Sequence, residues 1–128
     1  MDFLSSNSFL MLEKSMGFLW TKQAALTDNV VNAETPNYKK KVVTFEESLT
    51  AKLKAASAGA QPRKTVRAVL DTSEFAVEEQ LDATRMDENG VNVTEEMTEA
   101  VRNAYQLRYV YSAINHDLTM LRTAIRGQ

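Results

Sequence analysis

An uninterrupted apolar repeat in the C-terminal half constrains the fold of this chain more than any other feature. From Val93 onwards a small or apolar residue returns at alternating steps of four and three. The series is Val93, Met97, Ala100, Ala104, Leu107, Tyr111, Ile114, Leu118, Leu121 and Ile125. This heptad spacing keeps one face of a helix against a partner helix. We therefore predict a single helix over residues 93–126, about 50 Å long at about 1.5 Å per residue.

The ends of this helix are marked by suitable capping residues. Asn92 followed by Glu95 resembles a capping box, and Glu95 and Glu96 favour the positive end of a helix dipole. Arg126 favours the negative end, and Gly127 can adopt the left-handed conformation that terminates a helix.

A second heptad series lies near the N-terminus. Its members are Phe9, Leu12, Met16, Leu19, Gln23, Leu26, Val30 and Ala33, with Gln23 as the single polar position. Residues 5–8 offer serine and asparagine N-caps, so we predict a helix over residues 8–33. Two such helices in 128 residues favour an elongated antiparallel pair over a closed globule.

The sequence between the two helices carries weaker signals. Residues 35–38, Thr-Pro-Asn-Tyr, read as a turn, and residues 40–44 as an extended segment. Thr44 and Glu47 suggest a capping box for a short helix that ends near Gly59. Residues 60–90 show no sustained period, and within them residues 65–69 suggest one short strand.

These patterns predict a mainly α fold of the coiled-coil type. It consists of an elongated antiparallel pair of long N- and C-terminal helices with a short helix and an irregular, partly extended or disordered middle. We divide the chain into an N-terminal helix (1–34), a variable middle (35–92) and a C-terminal helix (93–128), which together form one structural domain.

Composition excludes several classes of function. The net charge of −2 argues against a dedicated nucleic-acid binder, and the absence of cysteine excludes disulfides, thiolate metal sites and a cysteine nucleophile. Near-neutrality hides strong blocks, because residues 33–68 carry eight bases and three acids while residues 69–99 carry ten acids and one base. Such blocks form either solvated surfaces or complementary patches that meet a neighbouring subunit.

No group of residues predicts an active site. The single histidine, His116, has no second histidine or cysteine with which to bind zinc. A calcium loop ending at Glu96 would place Arg85 at its first ligand position, where a carboxylate is needed. We therefore predict no enzyme activity, cofactor, metal, small-molecule substrate or nucleic-acid partner. No membrane span or cleaved signal peptide is expected either.

One segment resembles a known signature. Residues 24–39 read AALTDNVVNAETPNYK and are similar to the Asn-Ile-Ala-Asn-x-x-Thr-Pro-Gly-Tyr-Lys motif of bacterial flagellar rod and hook proteins. The matching residues are Asn29, Asn32, Thr35, Pro36, Tyr38 and Lys39. Val31 replaces the small residue and Asn37 replaces glycine, which is a mild change because asparagine tolerates a left-handed turn.

The C-terminal half resembles the proximal-rod branch of that family. Residues 89–92 (Asn-Gly-Val-Asn), Glu96, Asn103, Tyr105 and the ending at residues 121–127 follow the order of that branch. The short chain also fits, since the hook and distal-rod relatives carry larger middle domains.

The resemblance implies a structural subunit of the flagellar basal-body rod, which transmits torque and forms the wall of the export channel. Such a protein is exported unfolded, without a cleaved signal peptide, by the flagellar type III machinery and works in the periplasm. The implied partners are further copies in a helical assembly, other rod proteins and the junction between the MS ring and the export gate.

Within this picture the two seams are expected to pack together or against neighbouring subunits. The predicted packing and assembly residues are Leu12, Met16, Leu19, Leu26 and Val30 in the first helix and Leu107, Tyr111, Ile114, Leu118, Leu121 and Ile125 in the second. The loop at residues 32–39 and the segment 60–90 are expected to contact neighbours. An alternative is a soluble helical adaptor or chaperone-like module that uses the same seams for a transient partner.

Overall fold

The computed structural model describes residues 6–44, 46–58, 61–80 and 91–127. Four helices and two strands follow one another along the chain. In order they are α1 (Asn7–Val31), β1 (Lys40–Thr44), α2 (Glu46–Ser57), α3 (Pro62–Thr72), β2 (Ala76–Gln80) and α4 (Val93–Arg126). The mainly helical fold with two long terminal helices, predicted from the heptads, is confirmed.

The two long helices begin and end as their capping residues indicate. The Ser6 hydroxyl accepts a hydrogen bond from the Phe9 N–H, and the Asn92 side chain accepts one from the Thr94 N–H. Helix α4 ends at Gly127, whose φ of 69° is left-handed, and the Gly127 N–H donates to the Thr123 carbonyl. Helix α1 ends at Val31, slightly earlier than predicted, because the chain turns at Asn32.

Helices α1 and α4 pack against each other in antiparallel orientation. Asn29, near the end of α1, bonds to Glu96 near the start of α4, and Asn103 one heptad further along α4 bonds to Leu19 and Gln23. Since α4 has 34 residues and α1 has 25, the last turns of α4 extend past the first residues of α1 in this register.

The core lies where α2, α3 and β1 fill the space beside the helix pair. Its buried members are Phe18, Leu19, Ala25, Val43, Leu49, Leu70 and Val110, with Leu107 and Ile114 packed at its edge. Helices α2 and α3 pack on each other, and α3 and β1 both contact α1. Val110 is thus the buried residue that α4 contributes to this core.

The strand predicted at residues 65–69 is wrong, because these residues lie inside α3. Val66, Val69 and Leu70 follow helical spacing, and Leu70 is almost completely buried. A strand would instead have put Arg67 and Val69 on one face. Proline is also favoured at the first turn of a helix, where Pro62 stands.

The extended segment at residues 40–44 is confirmed as β1. It pairs antiparallel with β2, so that Lys41 stands opposite Glu79 and Val43 opposite Val77. The segment 60–90 is therefore partly regular, with α3 and β2 inside it, whereas residues 81–90 lie outside the described residues.

Candidate assembly site

A buried polar cluster, here named the polar junction, joins the motif at the end of α1 to β1 and α4. Its centre is Asn29, which has no exposed surface. The Asn29 amide nitrogen donates to the Lys41 carbonyl and to the Glu96 carboxylate, each at 2.8 Å. The Asn29 side-chain oxygen accepts from the Lys41 N–H at 2.8 Å and from the Tyr38 hydroxyl at 3.3 Å. This one side chain therefore acts as a strand partner for β1 and also binds α4.

Glu96 is the charged member of the polar junction and is only 2% exposed. The Lys40 ammonium lies 2.8 Å from its second carboxylate oxygen, so both oxygens have a donor. A buried carboxylate is tolerated only when it is paired and hydrogen-bonded. The Glu96 carboxylate of α4 thus holds α1 and β1 together, because Asn29 of α1 and Lys40 of β1 each contact one of its oxygens.

The turn after α1 presents most of the motif to solvent. Asn37 has a φ of 59°, as expected for the residue that replaces glycine in the motif. The Thr35 N–H donates to the Asn32 carbonyl at 2.9 Å, which closes the turn. Thr35, Pro36 and Lys39 are exposed, whereas Tyr38 points back to Asn29. Burial raises the pKa of the Tyr38 phenol.

A second polar contact lies one helical heptad away. The Asn103 amide nitrogen donates to the Leu19 carbonyl at 3.0 Å and to the Gln23 side chain at 2.8 Å. Gln23, the single polar residue of the first seam, therefore has a structural partner. The buried Asn103 side-chain oxygen accepts no hydrogen bond from the described part of the chain.

Glu99 links the two helices at the surface. The Lys22 ammonium lies 3.4 Å from one oxygen of its carboxylate, and the Arg102 guanidinium 3.3 Å from the other. Partial burial opposes ionisation, but the Lys22 and Arg102 charges outweigh it and lower the pKa of Glu99 below 4.5. The carboxylate side chain is 39% exposed, so solvent screens both pairs.

We expect this ion pair to give stability a small dependence on pH. Because the folded pKa of Glu99 is depressed, its contribution is present above pH 4.5 and is lost as the pH falls through the folded pKa. The Glu99→Gln variant should therefore lose less than about 1 kcal/mol at pH 7 and show a flatter decline in acid. Urea unfolding between pH 3 and pH 7 measures this. Glu74→Gln, the same change at an exposed position between α3 and β2, should leave the profile unchanged.

The predicted packing residues fall into two groups. Leu12, Met16 and Leu19 of α1 and Leu107 and Ile114 of α4 belong to the core or pack at its edge. Leu26 is buried, while Val30 and Leu121 are half-buried. In contrast, Leu118 is 39% exposed, Tyr111 59% and Ile125 76%. For all of these residues, the assignment to helix packing or subunit contact stays a prediction.

The sequence pattern did not reveal the polar members of the helix interface. Glu96, Asn103 and Val110 are the buried residues of α4 and lie one heptad apart. The apolar series places Met97 and Ala104 on the seam instead, one position later, and Met97 is exposed. The seven-residue spacing of Glu96, Asn103 and Val110 was the one sequence signal for this buried face. A search for apolar repeats misses it, because two of the three residues are polar.

Helix α4 carries a row of large exposed apolar side chains along its surface. Met97, Val101, Tyr105 and Tyr109 follow at steps of four, and Tyr109 is 76% exposed. Tyr105 and Tyr109 also border an open apolar cleft of about 600 Å³, which α1 and α2 line with Met11, Phe18, Leu49 and Leu53. A contiguous apolar surface of this kind marks a site of interaction with a partner.

The described part of the chain shows no grouping of acidic and histidine side chains placed to hold a metal ion. Among the same residues, no helix has both the length and the apolar character needed to cross a bilayer. The first half of the calcium-loop segment considered above, residues 85–90, lies outside the described residues.

Two flagellar proteins are similar to this chain over nearly its full length. The flagellar basal body rod protein FlgB of Bacillus subtilis is 27% identical over 125 residues, which cover 97% of each chain. FlgB of Aquifex aeolicus is 29% identical over 119 residues, or 92% of each chain. No family model and no solved structure matches the chain. The resemblance to flagellar rod proteins seen in the motifs is therefore confirmed.

Proposed function

We propose that this FlgB-like chain is a structural subunit of the bacterial flagellar basal-body rod. The observation that carries the proposal is similarity to two rod proteins that extends across both long helices and the middle segment. A structural role needs no catalytic site. It also agrees with the two similar proteins, which are both named as rod proteins.

The distribution of apolar side chains supports assembly into a larger structure. Trp20 and Val31 on α1 and Val101, Tyr105, Tyr109 and Ile125 on α4 are all more than half exposed. Large apolar side chains exposed to this extent are unfavourable in water, and subunit contacts would cover them. Tyrosine is also enriched at the centre of protein interfaces.

Several finer features belong to the same proposal. The subunit assembles helically with further copies and with other rod proteins, near the junction of the MS ring with the export gate. There it transmits torque, and its long helices contribute to the wall of the export channel. It reaches the periplasm through the flagellar type III machinery without a cleaved signal peptide. The division into segments 1–34, 35–92 and 93–128 describes its two assembly helices and the variable middle.

Deletion of the gene in its flagellated host tests the proposal. We expect basal bodies that lack a complete rod, no hook or filament, and loss of swimming. Expression of the unaltered chain from a plasmid should restore all three, which controls for effects on neighbouring genes. Normal rods in the deletion strain would contradict the proposal, and a soluble adaptor of fixed stoichiometry would then be the better interpretation.

A further inference from the structure

The outer faces of α1 and α4 differ in charge but share exposed apolar residues. On α1, Trp20, Ala24, Thr27 and Val31 return at steps of four, three and four and are all exposed, opposite buried Phe18, Ala25 and Asn29. We name this stripe, together with exposed Glu13, the outer α1 face. The outer α4 face comprises Met97, Val101, Tyr105, Arg108 and Tyr109, opposite buried Glu96, Asn103 and Val110.

The two faces carry opposite charges that make no ion pair within the described residues. Glu13 on the outer α1 face and Arg108 on the outer α4 face are exposed, and neither has an ion-pair partner within residues 6–44, 46–58, 61–80 and 91–127. Opposite charges beside apolar stripes favour contact between the two faces and disfavour contact of either face with itself.

The key residues of the two faces also lie at similar positions along the axis of the helix pair. Asn103 bonds to both Leu19 and Gln23, so Trp20 stands level with the turn between Val101 and Tyr105. Glu13 lies seven residues from Trp20, about 10 Å along the axis, and Arg108 lies five residues from Asn103, about 8 Å in the same direction. A copy displaced sideways would thus place Trp20 beside Tyr105 and Glu13 within a few ångströms of the level of Arg108.

We propose that the outer α4 face of one copy binds the outer α1 face of a second copy of this chain. This inference rests on the proposed rod function and names the contact by which copies meet. Since the two faces lie on different helices and share no residue, each copy can bind one neighbour through each face. Such a heterologous contact leaves both end copies with a free face and so continues into an array.

Charge exchange between two variants tests this pairing. Glu13→Arg makes both faces of a chain basic, and Arg108→Glu makes both acidic, so each variant alone should associate roughly tenfold more weakly than the unaltered chain. An equimolar mixture of the two should recover association, because basic and acidic faces then alternate. Sedimentation velocity on the full chain, over a range of concentration, measures this. Circular dichroism checks that each variant keeps its helices.

Cysteine cross-linking identifies the partner directly, because the chain has no cysteine of its own. We expect oxidation to link the Trp20→Cys chain to the Tyr105→Cys chain in a mixture, and neither variant to itself. A chain with both changes should form a ladder of multimers. Thr119→Cys, on α4 but away from the outer face residues named here, is the matched control and should link at least tenfold less to the Trp20→Cys chain.

Other outcomes would overturn the pairing. Self-linking of either single variant would indicate a symmetric dimer, and a chain that stays monomeric at every concentration would exclude a second copy as the occupant. In isolated basal bodies, a thiol-attached photo-cross-linker on the Trp20→Cys chain that links it to a different rod protein would name that protein as the occupant instead. Each of these results leaves the deletion phenotype intact, so failure of this pairing is distinguishable from failure of the rod function.

Discussion

Replacement of Asn29 by aspartate is expected to lower the free energy of unfolding by about 3–5 kcal/mol. The Asn29 amide nitrogen lies 2.8 Å from the Glu96 carboxylate and 2.8 Å from the Lys41 carbonyl. The Asn29→Asp change turns that donor into an acceptor and brings two carboxylates together at a buried position. Since small domains are stable by only about 5–15 kcal/mol, much of the variant would unfold under mild denaturant.

Urea unfolding followed by circular dichroism at pH 7 and at about pH 4.5 measures this loss. The loss should be smaller at the lower pH, because one of two facing carboxylates then binds a proton and can donate a hydrogen bond. Asn115→Asp makes the same chemical change at an exposed position of α4 and should shift stability by less than about 0.5 kcal/mol. Equal losses in the two variants would show that the polar junction has no special role.

The double variant Leu118→Asp with Leu121→Asp is expected to abolish rod assembly while the isolated chain stays folded. Leu118 is 39% exposed and Leu121 half-buried, on the part of α4 that extends beyond the start of α1. Little core packing is lost in the free chain. A carboxylate buried at a subunit contact weakens that contact by roughly tenfold or more, and the effect recurs at every subunit.

Complementation of the deletion strain provides the measurement. Swimming and complete basal bodies should be absent with the double variant, although the chain accumulates in the cell at its usual level. Thr119→Asp adds a charge between the two leucines at an exposed position and should support swimming. Normal rods with the double variant would refute a role of this end of α4 in assembly.

The regular elements at both ends could be predicted because local and tertiary signals agree there. The heptad series in α4 begins directly after the Asn92 cap and ends two residues before the Gly127 cap, and the helix observed is Val93–Arg126 as predicted. The middle was harder. Thr65, Val66 and Val69 have high strand propensity, but helical spacing packs half-buried Val66 and Val69 with buried Leu70 at the core, and this packing outweighs propensity.

The candidate site was predictable only in part, for a related reason. The turn residues Pro36 and Asn37 carry backbone preferences that can be read directly from the sequence. Glu96 and Lys40, in contrast, are paired across 56 positions, and nothing local to either distinguishes a buried ion pair from two solvated charges. Asn29 could be recognised through the motif, but its bonds to β1 and α4 depend on how the chain folds back.

Two buried polar contacts between α1 and α4 also determine how the two helices align along their axes. Heptad seams alone permit one helix to slide along the other by a whole repeat, about 10 Å, with leucines again facing leucines. Such a slip would break the hydrogen bonds from Asn29 to Glu96 and from Asn103 to Gln23, and the Glu96 carboxylate would lose its Asn29 donor. The two helices can therefore pack in only one register without losing these hydrogen bonds. Each copy therefore has its surfaces at one fixed axial spacing, which the proposed helical assembly requires.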